Sequence, residues 1–103
     1  MPWIDACDED EIDEEDVLRW DHDGRTFALY HGADGRFYCT DGLCTHEQVH
    51  LAGGLVIDFE IECPKHNGVF DYRTGAPLRA PACDALATYP VEVAGGRVRV
   101  LIE

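Results

Sequence analysis

The sequence is short of positive charge. Eight Lys and Arg stand against 21 Asp and Glu, a net charge of −13, which repels nucleic acid and anionic membrane and favours basic protein partners. No apolar run approaches the roughly 18 residues of a membrane span. The start, Met1-Pro2-Trp3-Ile4-Asp5, lacks the basic-then-apolar layout of a signal peptide, so a soluble cytoplasmic protein is expected. Helical periodicity is missing beyond a turn or two, as are solenoid-length repeats and low-complexity linkers. At 103 residues the chain is one domain, 1–103, too small for a core plus a separate catalytic unit. Its 46% hydrophobic and 10% aromatic content exclude a disordered chain. Five cysteines, an odd number without an export signal, argue against a disulfide framework and for metal binding plus bystander thiols.

What is present reads as β structure. Residues 3–7 form a first short strand, and residues 8–16 follow with eight carboxylates in nine positions, interrupted only by Ile12. That run is either a solubilising face or a docking element. Residues 16–22 and 25–31 flank Asp23-Gly24, a two-residue hairpin signal. A turn at Ala33-Asp34-Gly35 leads to an aromatic-rich strand over 36–40. At the C-terminal end, Tyr89, Val91 and Val93 share one face. After Ala94-Gly95-Gly96, Val98, Val100 and Ile102 alternate with Arg97, Arg99 and Leu101, the period-two pattern of a hairpin laid on a core. Pro90 lies in the first arm, and its missing N–H must point away from the ladder.

The texture changes over roughly 41–81. Gly42, Gly53, Gly54, Gly68 and Gly75 and Pro64, Pro77 and Pro81 mark irregular loops, with short strands over 55–57 and 60–62. Within it stand Cys44-Thr45-His46 and Cys63-Pro64-Lys65-His66, each a thiol followed by an imidazole. Sixteen residues separate His46 from Cys63, enough for the chain to run out and return. Two thiolates and two imidazoles converging on one point suit iron–sulfur or zinc, not calcium or magnesium.

Cys-x-His, sixteen residues, then Cys-x-x-His resembles the Rieske [2Fe–2S] signature, in which two cysteines hold one iron and two histidines the other. Leu51, Gly54, Gly68, Phe70, Asp71 and Thr74-Gly75 stand where the small Rieske ferredoxins carry the same residues. The resemblance spans essentially the whole chain. It implies an all-β Rieske fold: an antiparallel β-sandwich base with an inserted, loop-rich cluster-binding subdomain over approximately 41–81. It also implies one Rieske-type [2Fe–2S] cluster, with Cys44 and Cys63 on the buried iron and His46 and His66 on the outer iron, where electrons leave.

High-potential members carry an extra disulfide-linked cysteine in each loop, whereas Val49 and Lys65 occupy those positions here. The serine that often follows His-Gly in that group is also missing from His66-Asn67-Gly68-Val69. The chain therefore resembles the ferredoxins of bacterial Rieske non-haem-iron oxygenase systems. With few donors to the cluster sulfurs, a potential of about −150 mV is expected. Asn67 replaces a usual glycine, a residue type that tolerates left-handed angles.

The other residues take plainer roles. Cys7, Cys39 and Cys83 have no partner at ligand spacing and are expected to be bystanders. His22 and His31 are expected at the surface, and His50 either solvent-exposed or shaping the cluster and partner surface. Trp3, Trp20, Phe37 and Tyr38 are expected to fill the core, with Phe70 and Pro64 shielding the cluster from water.

The resemblance implies an electron carrier, not an enzyme: a monomer that takes one electron from a flavin-dependent reductase and passes it to a terminal oxygenase. The oxygenase would be a ring-hydroxylating dioxygenase or a monooxygenase or demethylase of small compounds. The same ligands also admit a small Rieske subunit or redox sensor of another oxidoreductase such as nitrite reductase, or a structural zinc module.

Overall fold

The computed structural model describes residues 3–45, 48–65, 67–80, 82 and 84–102. Eleven strands and two single turns of 3-10 helix make up the regular structure of these residues. The strands are β1 (Trp3–Asp8), β2 (Asp16–His22), β3 (Arg25–His31), β4 (Phe37–Asp41), β5 (Leu55–Ile57), β6 (Glu60–Glu62), β7 (Val69–Asp71), β8 (Pro77–Arg79), β9 (Thr88–Tyr89), β10 (Val91–Ala94) and β11 (Arg97–Leu101). They form three antiparallel sheets, ordered β1-β11-β10, β2-β3-β4-β9 and β5-β6-β7-β8. No helix of the described residues is long and apolar enough to cross a membrane.

The middle sheet is shared by two cores. Phe27 and Leu29 of β3 point into one, with Cys7, Ile12, Cys39, Val98 and Val100. Ala28 and Tyr30, on the opposite face of the same strand, point into the other, with Cys44, Leu51, Ile61, Cys63 and Phe70. A strand covered on both sides reads as a continuous apolar run instead of alternating, which is why 27–30 contains no charge. The expected sandwich base is the first two sheets. The segment expected to bind the cluster adds β5–β8 as a third layer, joined to the middle sheet through Tyr72, whose ring stacks on Tyr30 with centroids 4.3 Å apart and planes within 2°.

Local signals explain most connections. Asp23 and Gly24 both take positive φ, 51° and 78°, as a two-residue hairpin turn between β2 and β3 requires. The C-terminal hairpin forms as expected, but its first arm is divided at Pro90. Thr88 pairs with Thr40 in the middle sheet, while Val91 pairs with Val100 in the outer one. Proline thus sits where one strand leaves one sheet for another, and its carbonyl still accepts the N–H of Leu101 at 3.0 Å. Val93 shares the face of Val91 yet is 43% exposed, because it lies past the core near the turn.

Two expectations about side chains need correction. Trp20 and Phe37 pack half-buried at the edge of the base core and Tyr38 at the edge of the other, while neither core includes Trp3. His22 and His31 are half-buried instead of exposed: His22 stacks on Trp20, and His31 stacks on Phe37. The imidazole of His31 also lies 2.9 Å from the carbonyl of Ile12. Ile12, the one apolar residue of the acidic run, is buried in the base core. Together with the Glu15 N–H to His31 carbonyl bond at 2.7 Å, it pins the carboxylates 8–16 to the base, not to the core that holds Cys44 and Cys63.

Gly54 sits where the turn after Leu51 returns toward β6, and a Cβ there would lie 2.1 Å from the carbonyl oxygen of Glu62. Gly54→Ala is expected to cost about 1–3 kcal/mol of stability through this overpacking. Urea unfolding measures it, and an unchanged midpoint would contradict the close approach.

Candidate metal centre

Both expected cysteine ligands begin a short closed loop. The N–H of Cys44 donates to the carbonyl of Val49 at 2.9 Å, and that of Cys63 to the carbonyl of Gly68 at 2.7 Å. Each cysteine therefore bonds to the residue five positions on, so the two loops share one construction. The first is anchored below by the Leu43–His50 bridge and by the Leu51 N–H bonded to the Gly42 carbonyl at 2.8 Å. The second leaves β6 and re-enters at β7.

Cys44 and Cys63 are buried in the same apolar cluster, against Leu51, Ile61 and Phe70. Thr45, Gln48, Lys65 and Asn67, which surround the histidine positions in sequence, are exposed. His46 and His66 themselves lie outside the described residues. The donor set fits a group whose sulfur-held side is buried and shielded and whose other side faces solvent. Of the two residues expected to shield it, Phe70 is buried beside both cysteines and Pro64 is exposed.

Three side chains tie the loops down, and their partners come from distant sequence. The Thr45 hydroxyl donates to the Asp84 carbonyl at 2.8 Å. Arg79 on β8 donates from Nε and Nη2 to the Asn67 carbonyl at 3.2 and 3.1 Å and lies 3.4 Å from Glu62. Asn67 takes the left-handed conformation expected of it, with φ 59°. The third tie is His50. Its Nδ1 accepts the Ala52 N–H at 3.0 Å, so Nε2 carries the proton and donates to the Thr26 hydroxyl at 2.8 Å. Thr26 in turn donates to Asp21, which also pairs with Arg19.

His50 is therefore held neutral, its pKa lowered first by burial and then by the Arg19 charge. It joins the first ligand loop to the β2–β3 hairpin. The contact explains Gly42, where a Cβ would lie 2.5 Å from His50 Nε2 and 3.0 Å from the Phe27 nitrogen. Of the two roles weighed for His50, full solvent exposure is replaced by this half-buried tie. Sequence spacing carried no sign of Thr26, Arg79 or Asp84, because these contacts arise only when the sheets stack. A surface hollow of about 720 Å³ between β4 and β9–β10 includes neither Cys44 nor Cys63 among its lining residues.

Comparison with known proteins places this geometry. The Rieske [2Fe–2S] domain matches residues 2–90, and the chain belongs to that family. It carries one Rieske-type [2Fe–2S] cluster, which supplies one-electron redox chemistry. Within the family it is a ferredoxin of the kind found in oxygenase systems, an electron carrier and not a catalytic subunit. The ferredoxin component of the naphthalene 1,2-dioxygenase system of Pseudomonas aeruginosa is 45% identical, over 95% of this chain and 93% of that one. The ferredoxin of carbazole 1,9a-dioxygenase from Nocardioides aromaticivorans IC177 has a TM-score of 0.93 at 30% identity, covering 100% of both chains. A ferredoxin solved in complex with the oxygenase of carbazole 1,9a-dioxygenase has a TM-score of 0.90 at 33% identity, covering 95% of this chain and 91% of that one.

Cys7 and Cys39, expected to be bystanders, are buried thiols of the base core, apart from the core that holds Cys44 and Cys63. Cys83 lies outside the described residues. Burial pushes the Cys7 thiol up to about 11, helped by Glu11, and raises Cys39 further through burial and Asp41. At pH 8 roughly one Cys7 in a thousand would then be thiolate. Iodoacetamide should leave both residues unmodified in the native protein and label them once it is unfolded, as peptide mass spectrometry would show. Rapid native labelling of either would contradict their placement in the core.

Proposed function

We propose that the chain shuttles single electrons from a flavin-dependent reductase to a terminal Rieske oxygenase that acts on aromatic compounds, as a monomer in the cytoplasm. Its cluster is held by Cys44 and Cys63 on the buried side and by His46 and His66 on the outer side. The observation that carries this reading is the pairing of two identically closed loops, each burying its cysteine in one shared core while its flanking residues stay exposed. A metal group at that boundary is shielded from water on one side and open to a partner on the other. The names of the relatives supply the rest: those cited are components of naphthalene and carbazole dioxygenase systems.

This chain's own residues have a limited task. The apolar core keeps water from the sulfur side and so sets the local dielectric, while the Thr45, Arg79 and His50 ties hold the loops still through the change of charge. Little rearrangement on reduction favours fast transfer.

Reduced protein should restore turnover to the terminal oxygenase of the Pseudomonas aeruginosa naphthalene 1,2-dioxygenase system assayed without its own ferredoxin, and no turnover would contradict the reading. Raising salt from about 0.05 to about 0.5 M should slow the transfer several-fold, because a chain of net charge −13 is steered by a field that salt screens. Cys44→Ser or Cys63→Ser should each reduce bound iron and acid-labile sulfide at least tenfold, whereas Cys39→Ser should retain both. A redox titration should give a midpoint of about −150 mV, and a clearly positive value would overturn the expectation drawn from Val49, Lys65 and Asn67.

A further inference from the structure

We propose that the outer face of the β5–β8 sheet, centred on Leu55 and Ile57, is the surface on which the terminal oxygenase seats. The proposal rests on the carrier reading above and adds to it the side surface, beside the second cysteine loop, on which the partner rests. Four large apolar side chains are exposed among the described residues: Leu55 at 56%, Ile57 at 55%, Leu78 at 52% and Val93 at 43%. Single exposed apolar residues need no explanation, but three of these four lie on the one sheet that adjoins the centre.

Strand β5 makes the point most directly. Val56 packs against the core that holds both cysteines, so Leu55 and Ile57 necessarily point the other way. A sheet with one solvated face normally carries polar residues there, as β6 does with Glu60 and Glu62. The register sets Leu55 beside Glu62, then Val69, then Arg79, and sets Ile57 beside Glu60, then Asp71. Arg79 is occupied by Glu62 and the Asn67 carbonyl, and Asp71 by Arg73. What remains for a partner is an apolar strip edged by carboxylate, which fits an apolar surface with a basic rim.

Two hollows show the shape. One, about 90 Å³, is lined by Leu55, Ile57, Glu60, Glu62, Val69 and Arg79. It is far below the roughly 300–1,000 Å³ of a cofactor or drug-sized site, and it suits one inserted side chain. The other shares Leu55 and Glu62 and continues to Cys63 and Pro64. A protein seated on Leu55 is thereby brought over the second ligand loop, where an electron acceptor has to be. The oxygenase is the occupant chosen because it is the acceptor, and because a ferredoxin 33% identical to this chain is found in complex with its oxygenase.

The test is the double variant Leu55→Ser, Ile57→Ser, with Val93→Ser as an exposed apolar control on the base. All three positions are exposed, so melting temperature and midpoint potential should stay as in the wild type. In the naphthalene 1,2-dioxygenase assay the double variant should raise the KM for ferredoxin roughly tenfold, about 1.4 kcal/mol, with little change in kcat. The Val93→Ser protein and the rate of reduction by the reductase should be unchanged. An unaltered KM, or a loss confined to the reductase step, would overturn the proposal. Failure of the wild-type chain to support turnover contradicts the carrier reading instead, so the two outcomes are distinguishable.

Discussion

Each of the two cysteine loops is closed by the backbone N–H of its own cysteine, which reaches the carbonyl five residues ahead: Cys44 to Val49 and Cys63 to Gly68. In both loops the thiol that follows this bond is buried. With the loops closed in this way, the two cysteines occupy one apolar core while Thr45, Lys65 and Asn67 remain in solvent. The close approaches at Gly42 and Gly54, the left-handed Asn67 and the Arg79 clamp are what the surrounding chain adopts to let the loops close in this way. A net backbone hydrogen bond contributes only about 0.5–1.5 kcal/mol, so its role is to direct the side chains more than to stabilise the fold.

The three-layer arrangement follows from where those cysteines must be buried. A two-sheet base already has its own core, closed by Val98 and Val100 from the C-terminal hairpin. The ligand segment brings a third sheet and uses the free face of β3 and β4 as its floor, through Ala28, Tyr30 and Tyr38. The division of labour is visible in the charges. The acidic run 8–16 is anchored by Ile12 to the base core, whereas the sheet beside the centre presents leucine and isoleucine. The carboxylate run and the exposed Leu55 and Ile57 thus belong to different layers of one small protein.

Much of this was legible in the sequence, for identifiable reasons. The Asp-Gly turn signal located the paired strands over 16–22 and 25–31, and period-two alternation located the second arm of the C-terminal hairpin, because these are local properties of the chain. The cysteine and histidine spacing pointed to a candidate centre because ligand chemistry restricts residue types, and of those four residues the structure describes Cys44 and Cys63, buried in one core. The division of the C-terminal arm at Pro90 was not legible, since the proline itself does not say which sheet each half will join. The half-burial of His22 and His31 and the ties through Thr26, Arg79 and Asp84 were equally hidden. They depend on pairs 12 to 39 residues apart or on ring stacking at a strand surface, and no local pattern encodes such contacts.

The central claim is that two histidines and two cysteines share one iron–sulfur cluster. Pulsed EPR on the reduced protein, with histidine selectively labelled with nitrogen-15, tests it directly. The account predicts hyperfine coupling to two inequivalent imidazole nitrogens, one lost in His46→Cys and the other in His66→Cys. A cluster with no histidine nitrogen coupling, or a zinc-loaded protein with no signal, would contradict it.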